Sequence, residues 1–353
     1  MRWQSLLLAL ALTLLPAGSR TAPPGQQLPI ARRSFLLGVT PTADRSRDVG
    51  AALQLARSCA EVVMHWVTPN GAGLLEAMDR RPAPGLPAPF DAIRSVGLEP
   101  VANLNPWTVA PGKGIVRNDG SGSADFGDPG FRRRMCQEAA TVARRFRPRY
   151  FCIGNEVNSL YEMLGAEAFD RFMDVEHAIY RAVKHASPET RVLIVVSWSQ
   201  LVDLPGGPRL HLLPRLEGAC DIIGVTSYPW RRYETPADLP PKYYLRLRER
   251  TRHPVAFTEI GWSSDTTQGG SEQEQVEFLE RFLELTRTLQ PEFVNWAFLH
   301  DLPSSSVDGM VVQRSHLGLG LRRYDGSPKP VWRAFEALCR LPGPASSAER
   351  RAP

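Results

Sequence analysis

The sequence has little of what marks a metal site, a disulfide-rich scaffold or a membrane protein. Its 353 residues include five cysteines, which form no Cys-x-x-Cys pair and no dense cluster. That spacing argues against a zinc site and against a disulfide framework. It leaves the pairing of the cysteines open, although an odd count leaves at least one thiol free within a single chain. Beyond the N-terminal segment, no apolar run is long enough to span a bilayer.

Lysine is also scarce, and the net charge of +5 comes almost wholly from arginine. The arginines are scattered among Asp and Glu along the chain, whereas a nucleic-acid-binding protein clusters its basic residues on one face. The glycine-rich phosphate-binding loops GxGxxG and GxxxxGK[ST] are missing too. We therefore expect no nucleic-acid partner, no cofactor and no metal.

The N-terminus has the pattern of a secretory signal peptide. Arg2 precedes an apolar run from Ser5 to Leu15, and small residues follow it. We predict a signal peptide over residues 1–22 and a spacer over 23–33. We predict a disordered Pro/Ser/Ala-rich tail over 342–353. The mature protein is expected to be a secreted or periplasmic monomer that does not stay in the membrane.

Eight short apolar segments, rich in Val, Ile, Phe and Tyr, recur between the spacer and the tail. Because they do not alternate strictly with polar residues, they are typical of parallel strands that are covered on both faces. The predicted strands are Phe35–Thr40, Glu61–Trp66, Leu98–Asn103, Tyr150–Asn155, Val192–Trp198, Asp221–Tyr228, Val255–Ile260 and Phe293–Phe298.

Amphipathic helical patterns lie between the apolar segments. The clearest are Phe131–Phe146, Glu167–His185, Pro330–Leu341 and the stretch that begins at Ser271 with a capping box to Glu274. Eight strand–helix units predict an α/β fold, a single (β/α)8 TIM barrel over residues 34–341. The alternative, an open doubly wound sheet, would need a phosphate-binding turn that this chain lacks.

Catalytic residues of such a barrel lie at the carboxyl ends of its strands. Among the predicted strands, only the fourth and seventh end in glutamate, Glu156 and Glu259. These two strands face each other across the barrel, so we expect the carboxyl groups to approach to about 5 Å, the separation of a retaining glycosidase. Such an enzyme uses one carboxyl as acid and base and the other as nucleophile.

Aromatic and amide side chains cluster at the same strand ends. Sugar rings stack on indole faces, while amides bond their hydroxyl groups. We therefore predict that a carbohydrate-binding cleft is lined by Trp66, Trp107, Trp198, Trp230, Trp262 and Trp296, together with His65 and Asn105.

The segments Ile153–Asn158 and Phe257–Trp262 resemble the strand-4 and strand-7 signatures of clan A of the glycoside hydrolases. These motifs are most similar to those of families seventeen and fifty-three, which contain β-1,3-glucanases and β-1,4-galactanases. The resemblance implies that Glu156 is the acid/base, Glu259 the nucleophile and Asn155 a partner of the sugar 2-hydroxyl. It further implies that Tyr228 bonds Glu259, and that Trp296 forms the floor of the −1 subsite. Many clan members brace the nucleophile with an arginine on strand 2, which this chain lacks; either His65 replaces it or this branch never used one.

The predicted function is therefore a secreted retaining hydrolase of β-linked poly- or oligosaccharides. A secreted carbohydrate-binding barrel without catalysis is the alternative, and the sequence leaves the sugar, the linkage and endo versus exo action open. The glycine-rich stretch 110–130 is expected to be a flexible wall of the cleft. Its alternating Asp and Ser residues resemble a calcium loop, but Gly130 stands where an EF-hand needs glutamate.

Overall fold

The computed structural model describes residues 28–69, 71, 73–110, 114–205, 207–308 and 314–344. The predicted signal peptide lies wholly outside these residues, as do residues 23–27 of the predicted spacer and 345–353 of the predicted tail. Within the described part of the chain, no helix is both long enough and apolar enough to cross a membrane.

Eight parallel strands close into a barrel in the order β1-β8-β7-β6-β5-β4-β3-β2, with β1 pairing with both β8 and β2. The predicted (β/α)8 fold is confirmed, and all eight predicted strands exist with bounds shifted by at most a few residues. The strands are β1 Leu36–Val39, β2 Val62–Val67, β3 Glu99–Leu104, β4 Tyr150–Ile153, β5 Arg191–Ser197, β6 Ile222–Ser227, β7 Val255–Ile260 and β8 Phe293–Trp296.

Ten α-helices are described around the barrel, and the four that the sequence predicted are among them. They are α1 Val49–Arg57, α2 Leu74–Asp79, α3 Pro89–Ser95, α4 Pro129–Phe146, α5 Asn158–Leu164, α6 Ala166–Ala186, α7 Trp198–Val202, α8 Glu272–Thr286, α9 Ser305–Asp308 and α10 Pro330–Arg340. Ser271 caps α8 as predicted, because its hydroxyl accepts the backbone N–H of Glu274. The short 3₁₀ helices Leu210–Leu216, Pro229–Arg231, Pro236–Asp238 and Leu245–Glu249 lie after β5 and β6, in a proline-rich part of the chain that disfavours a long α-helix.

The stretch 110–130 differs from the predicted flexible wall. A short strand Trp107–Ala110 pairs in antiparallel fashion with Gly114–Arg117, and α4 already begins at Pro129 with Asp128 as its cap. None of the described residues of this stretch lines the cleft. In the described part of the chain no three His, Cys, Asp or Glu residues are placed to hold a metal ion. All five cysteines are free thiols.

Two layers of apolar side chains stabilise the barrel. The inner layer fills the barrel itself and includes Met64, Val101, Cys152, Leu193 and Phe293. The outer layer packs the strands against the helices. Because successive side chains of a strand point to opposite faces, each strand contributes alternately to the two layers. The same alternation decides which residue at a strand end faces the barrel mouth.

Candidate active site

An open cleft of about 930 Å³ lies at the carboxyl ends of the strands. It brings together six of the residues that the sequence singled out, from strands that are far apart in the chain. These six are Trp66, Asn105, Asn155, Glu156, Tyr228 and Glu259.

Glu156 stands on a tight turn directly after β4. Gly154 has a φ of +95° and Glu156 itself a φ of +52°, a left-handed conformation that is uncommon for a residue with a side chain. The turn is fixed by the N–H of Val157, which donates to the carbonyl of Val195 on β5 at 2.9 Å. Thr226 on β6 donates its hydroxyl to the Glu156 carboxylate at 2.5 Å. A strained turn and a dedicated donor thus hold this carboxyl group in the cleft.

Glu259 faces the cleft because β7 contains a bulge. In a regular strand Phe257 and Glu259 would share a face, and Phe257 packs outward in the helical layer. On β6, however, Val225 pairs with Phe257 and the very next residue, Thr226, pairs with Glu259. The extra residue, Thr258, reverses the alternation, so that Glu259 points into the barrel mouth.

A buried amide on β8 holds the bulge. Asn295 donates its side-chain N–H groups to the carbonyl of Thr258 at 3.0 Å and to the hydroxyl of Thr40 at 3.0 Å. A Cβ atom at Gly38 would come within 2.9 Å of the Asn295 amide oxygen, so the absence of a side chain at Gly38 makes room for this amide. The orientation of the Glu259 side chain therefore depends on strands β1 and β8 as well as on β7.

Strand β6 supplies a hydroxyl donor to each carboxyl group. Thr226 bonds Glu156, and the Tyr228 hydroxyl donates a short hydrogen bond to Glu259. The second contact is the one implied by the resemblance to clan A. The other carboxylate oxygen of Glu259 is buried and has no hydrogen-bond partner among the described residues.

Burial raises the pKa of both glutamates. For Glu259 the negative charge of Glu156 adds to the effect of burial and the Tyr228 hydrogen bond opposes it, which brings the pKa to about 8. For Glu156 the Thr226 hydrogen bond and the charge of Arg231 oppose the effect of burial. The two groups interact, so the proton belongs to the pair rather than to one residue. Burial thus favours retention of a proton in this pair of carboxyl groups.

Replacing Glu259 by glutamine should stabilise the protein more at pH 8 than at pH 5, by at least about 2 °C in Tm. The folded protein raises the pKa of Glu259 from 4.5 to about 8. Its contribution to stability is therefore complete below pH 4.5 and is lost as the pH rises toward 8. Glutamine cannot ionise and does not incur that loss. Calorimetry at both pH values measures the difference, with the exposed Glu234→Gln as control. An equal gain at both pH values would contradict the raised pKa.

The structure places five of the six predicted cleft tryptophans outside the cleft lining, and four of these five are fully packed into the core. Trp107, Trp198, Trp262 and Trp296 are buried in the outer layer and do not line the cleft. Trp296 shares its face of β8 with Val294, which also packs outward. Its indole N–H donates to the carbonyl of Leu319. Trp296 therefore does not form the floor of the −1 subsite, contrary to what the resemblance implied.

Trp66 is the cleft tryptophan, because it shares the inward face of β2 with Val62 and Met64. It is 36% exposed, so one indole surface is free to stack on a sugar. Trp230 is half-buried against the core and also lies outside the cleft lining.

His65 does not support the nucleophile, contrary to the expectation from strand 2. It lies on the outward face of β2, where its ring packs 6.2 Å from that of Phe90 on α3. Burial lowers its pKa to about 4, so the ring is neutral at physiological pH. Tyr228 and Thr226 are the described residues that bond the two carboxyl groups.

Two asparagines fit their predicted places in the cleft. Asn155 precedes Glu156 on the strained turn, and its side-chain oxygen is buried without a partner among the described residues. Asn105 follows β3, where its backbone oxygen accepts the side-chain N–H of Asn118. Both residues line the cleft.

Several groups of the cleft were not predicted from the sequence, among them Ser197, Arg231, Arg232 and His316, and neither was Thr226, which bonds Glu156. Thr226 and Ser197 could have been predicted from strand alternation. Each lies an even number of residues from an inward-facing residue of its own strand, so its side chain also faces inward. The arginines and His316 follow strands in segments without a periodic pattern, and only the tertiary structure brings them to the cleft.

Comparison with known proteins shows the fold but no family. No protein-family model matches the sequence, and no curated protein does. Among solved structures, a family 39 glycoside hydrolase from Bacteroides cellulosilyticus WH2 is 17% identical with a TM-score of 0.60 and covers 88% of this chain and 64% of its own. The exo-β-1,4-mannosidase Op5Man5 from Opitutaceae bacterium strain TAV5 is 19% identical with a TM-score of 0.62, at 87% and 59% coverage.

A third structure, GH5_18 from Streptomyces cattleya in complex with Manβ1-4GlcNAc, is 15% identical with a TM-score of 0.62 and covers 87% of this chain and 82% of its own. The chain thus spans less than two thirds of the length of the first two structures. The structure is thus a (β/α)8 barrel similar in fold to these glycoside hydrolases. None of these comparisons singles out family seventeen or fifty-three.

Proposed function

We propose that the protein is a secreted retaining glycoside hydrolase that cleaves β-linked poly- or oligosaccharides. The observation that carries the proposal is the pair of partly buried glutamates, each with its own hydroxyl donor, in one cleft of a (β/α)8 barrel. Export follows from the leader pattern of residues 1–22 and forms part of the proposal.

The reaction has two displacements. In the first, the Glu259 carboxylate attacks the anomeric carbon while Glu156 donates its proton to the leaving oxygen, and the glycosidic bond breaks. In the second, Glu156 takes a proton from water, whose oxygen attacks the same carbon and releases Glu259. Burial raises the pKa of both carboxyl groups and so favours retention of a proton in the pair, and the first displacement requires that proton on Glu156.

The other cleft residues are suited to holding a sugar. The unpartnered amide oxygen of Asn155 accepts a hydroxyl group beside the acid/base, and the exposed face of Trp66 stacks on a pyranose ring. The Tyr228 hydroxyl keeps Glu259 oriented toward the anomeric carbon and stabilises its charged form. Each role uses a group that has spare bonding capacity in the unliganded cleft.

The test is a substrate screen with stereochemical readout. β-Mannan, β-glucan, β-galactan and xylan oligosaccharides are incubated with the protein, and the first product is observed by proton NMR. We expect hydrolysis of at least one substrate with release of the β-anomer before mutarotation. The double variant Glu156→Gln/Glu259→Gln, purified in parallel, controls for contaminating enzymes. Initial release of the α-anomer would contradict the retaining mechanism. Binding without hydrolysis would instead favour a non-catalytic carbohydrate-binding barrel.

A further inference from the structure

Two adjacent arginines form part of the cleft wall. Arg231 and Arg232 follow β6, where the 3₁₀ helix Pro229–Arg231 turns the chain at the barrel mouth. Both side chains line the cleft and are solvent-exposed. The proposed hydrolysis of a neutral sugar requires neither of them.

Neither guanidinium group has an ion-pair or hydrogen-bond partner among the described residues. The nearby carboxylates are engaged elsewhere. Asp203 accepts the hydroxyls of Tyr233 and Tyr243 at 3.0 and 2.6 Å. Glu162, the third carboxylate of the cleft, pairs with Arg209 at 3.0 Å.

The charges of the cleft therefore do not balance. Burial raises the pKa of both Glu156 and Glu259, so the two carboxyl groups carry less than their full negative charge near neutral pH, whereas the two arginines carry two positive charges. Arg231 is close enough to Glu156 for its charge to lower the pKa of that carboxyl. Part of the positive charge of the cleft thus acts directly on one of the two carboxyl groups. Such a cleft attracts anions and weakens the binding of cations.

We propose that Arg231 and Arg232 bind an anionic group, a carboxylate or a sulfate ester, on the saccharide that enters the cleft. The planar guanidinium fork donates two parallel N–H groups and matches the oxygen geometry of both anions. This inference rests on the proposed function, because it specifies the class of sugar that the same site accepts. The substrate is then an acidic rather than a neutral β-linked saccharide.

The test compares ligands that share one backbone and differ only at C6. Glucan and mannan oligosaccharides are prepared with the ordinary C6 hydroxyl, with a C6 carboxylate and with a C6 sulfate. Calorimetry measures their binding to the Glu156→Gln protein, which does not need to turn over. Hydrolysis by the wild type is measured separately, so that binding and catalysis are judged independently.

We expect at least one charged form to bind at least ten times more tightly than the neutral form of its backbone, and to weaken as salt rises from 50 to 500 mM. Adding Arg231→Ala and Arg232→Ala should abolish this preference and leave binding of the neutral form within about two-fold. Arg250→Ala, an exposed arginine outside the cleft, is the matched control and should retain the preference. The carboxylate and sulfate arms show which anion is accepted.

Equal binding of charged and neutral forms on both backbones would overturn the inference. So would a preference that survives loss of both arginines. Hydrolysis of a neutral saccharide with no charge preference would leave the proposed function intact and refute this inference alone. Charge-selective binding without any hydrolysis would support the anion site and refute the proposed hydrolase function.

Discussion

The variant Glu259→Ala is expected to lose at least about four orders of magnitude in kcat on any substrate that the protein hydrolyses. Removal of the carboxylate eliminates the covalent intermediate, so only a far slower direct attack by water is left. Added azide should restore part of the rate, because the deleted side chain leaves space beside the Tyr228 hydroxyl for a small anion. The product would then be a glycosyl azide of inverted configuration.

The control for this loss is another glutamate of the same cleft. Glu162→Gln changes a carboxylate that is already paired with Arg209, and its kcat should stay within about ten-fold of wild type. Thermal unfolding of each variant shows that the fold is intact. Turnover near wild type by Glu259→Ala would contradict the assignment of the nucleophile.

The variant Glu156→Gln should lose activity in proportion to how poor the leaving group is. Sugar leaving groups need a proton as the bond breaks, so their hydrolysis should slow by about three to four orders of magnitude. Dinitrophenolate leaves without a proton, so the first step on a dinitrophenyl glycoside should be nearly unchanged. The second step still lacks its base, and the intermediate should accumulate as a burst with a lowered KM. Steady-state and burst kinetics on both substrates measure this contrast.

Glu259→Ala provides the comparison, because loss of the nucleophile should slow both substrates alike. The two patterns assign the two carboxyls independently of their pKa values, which belong to a coupled pair. If Glu156→Gln slowed both substrates equally and Glu259→Ala showed the dependence on leaving group, the roles would be exchanged.

The positions of both glutamates were predictable because the signals are local. Each follows an apolar segment that is typical of a covered parallel strand, and a barrel collects such strand ends on one face. The tryptophans at the same ends were a weaker signal. Being at the end of a strand does not define the side of the sheet, and Trp262 and Trp296 point toward the helices.

The bulge at Thr258 shows why strand alternation alone is not enough. Counted from Phe257, a regular strand would send Glu259 to the helical layer. The shift arises from pairing with β6 and β8 and from the Asn295 amide, which is 37 residues away in sequence. A local pattern carries no information about such a contact.

The sequence by itself determined the barrel, the order of its strands along the chain and the two glutamates, because hydrophobic periodicity and chain connectivity restrict the folds that are available. Only the tertiary structure decided which side chains face the cleft, which hydroxyl bonds each carboxyl, and that two arginines stand unpaired beside them. These features depend on register, on a bulge and on contacts between distant segments. Their energies come from burial and from neighbours that are set only when the barrel closes.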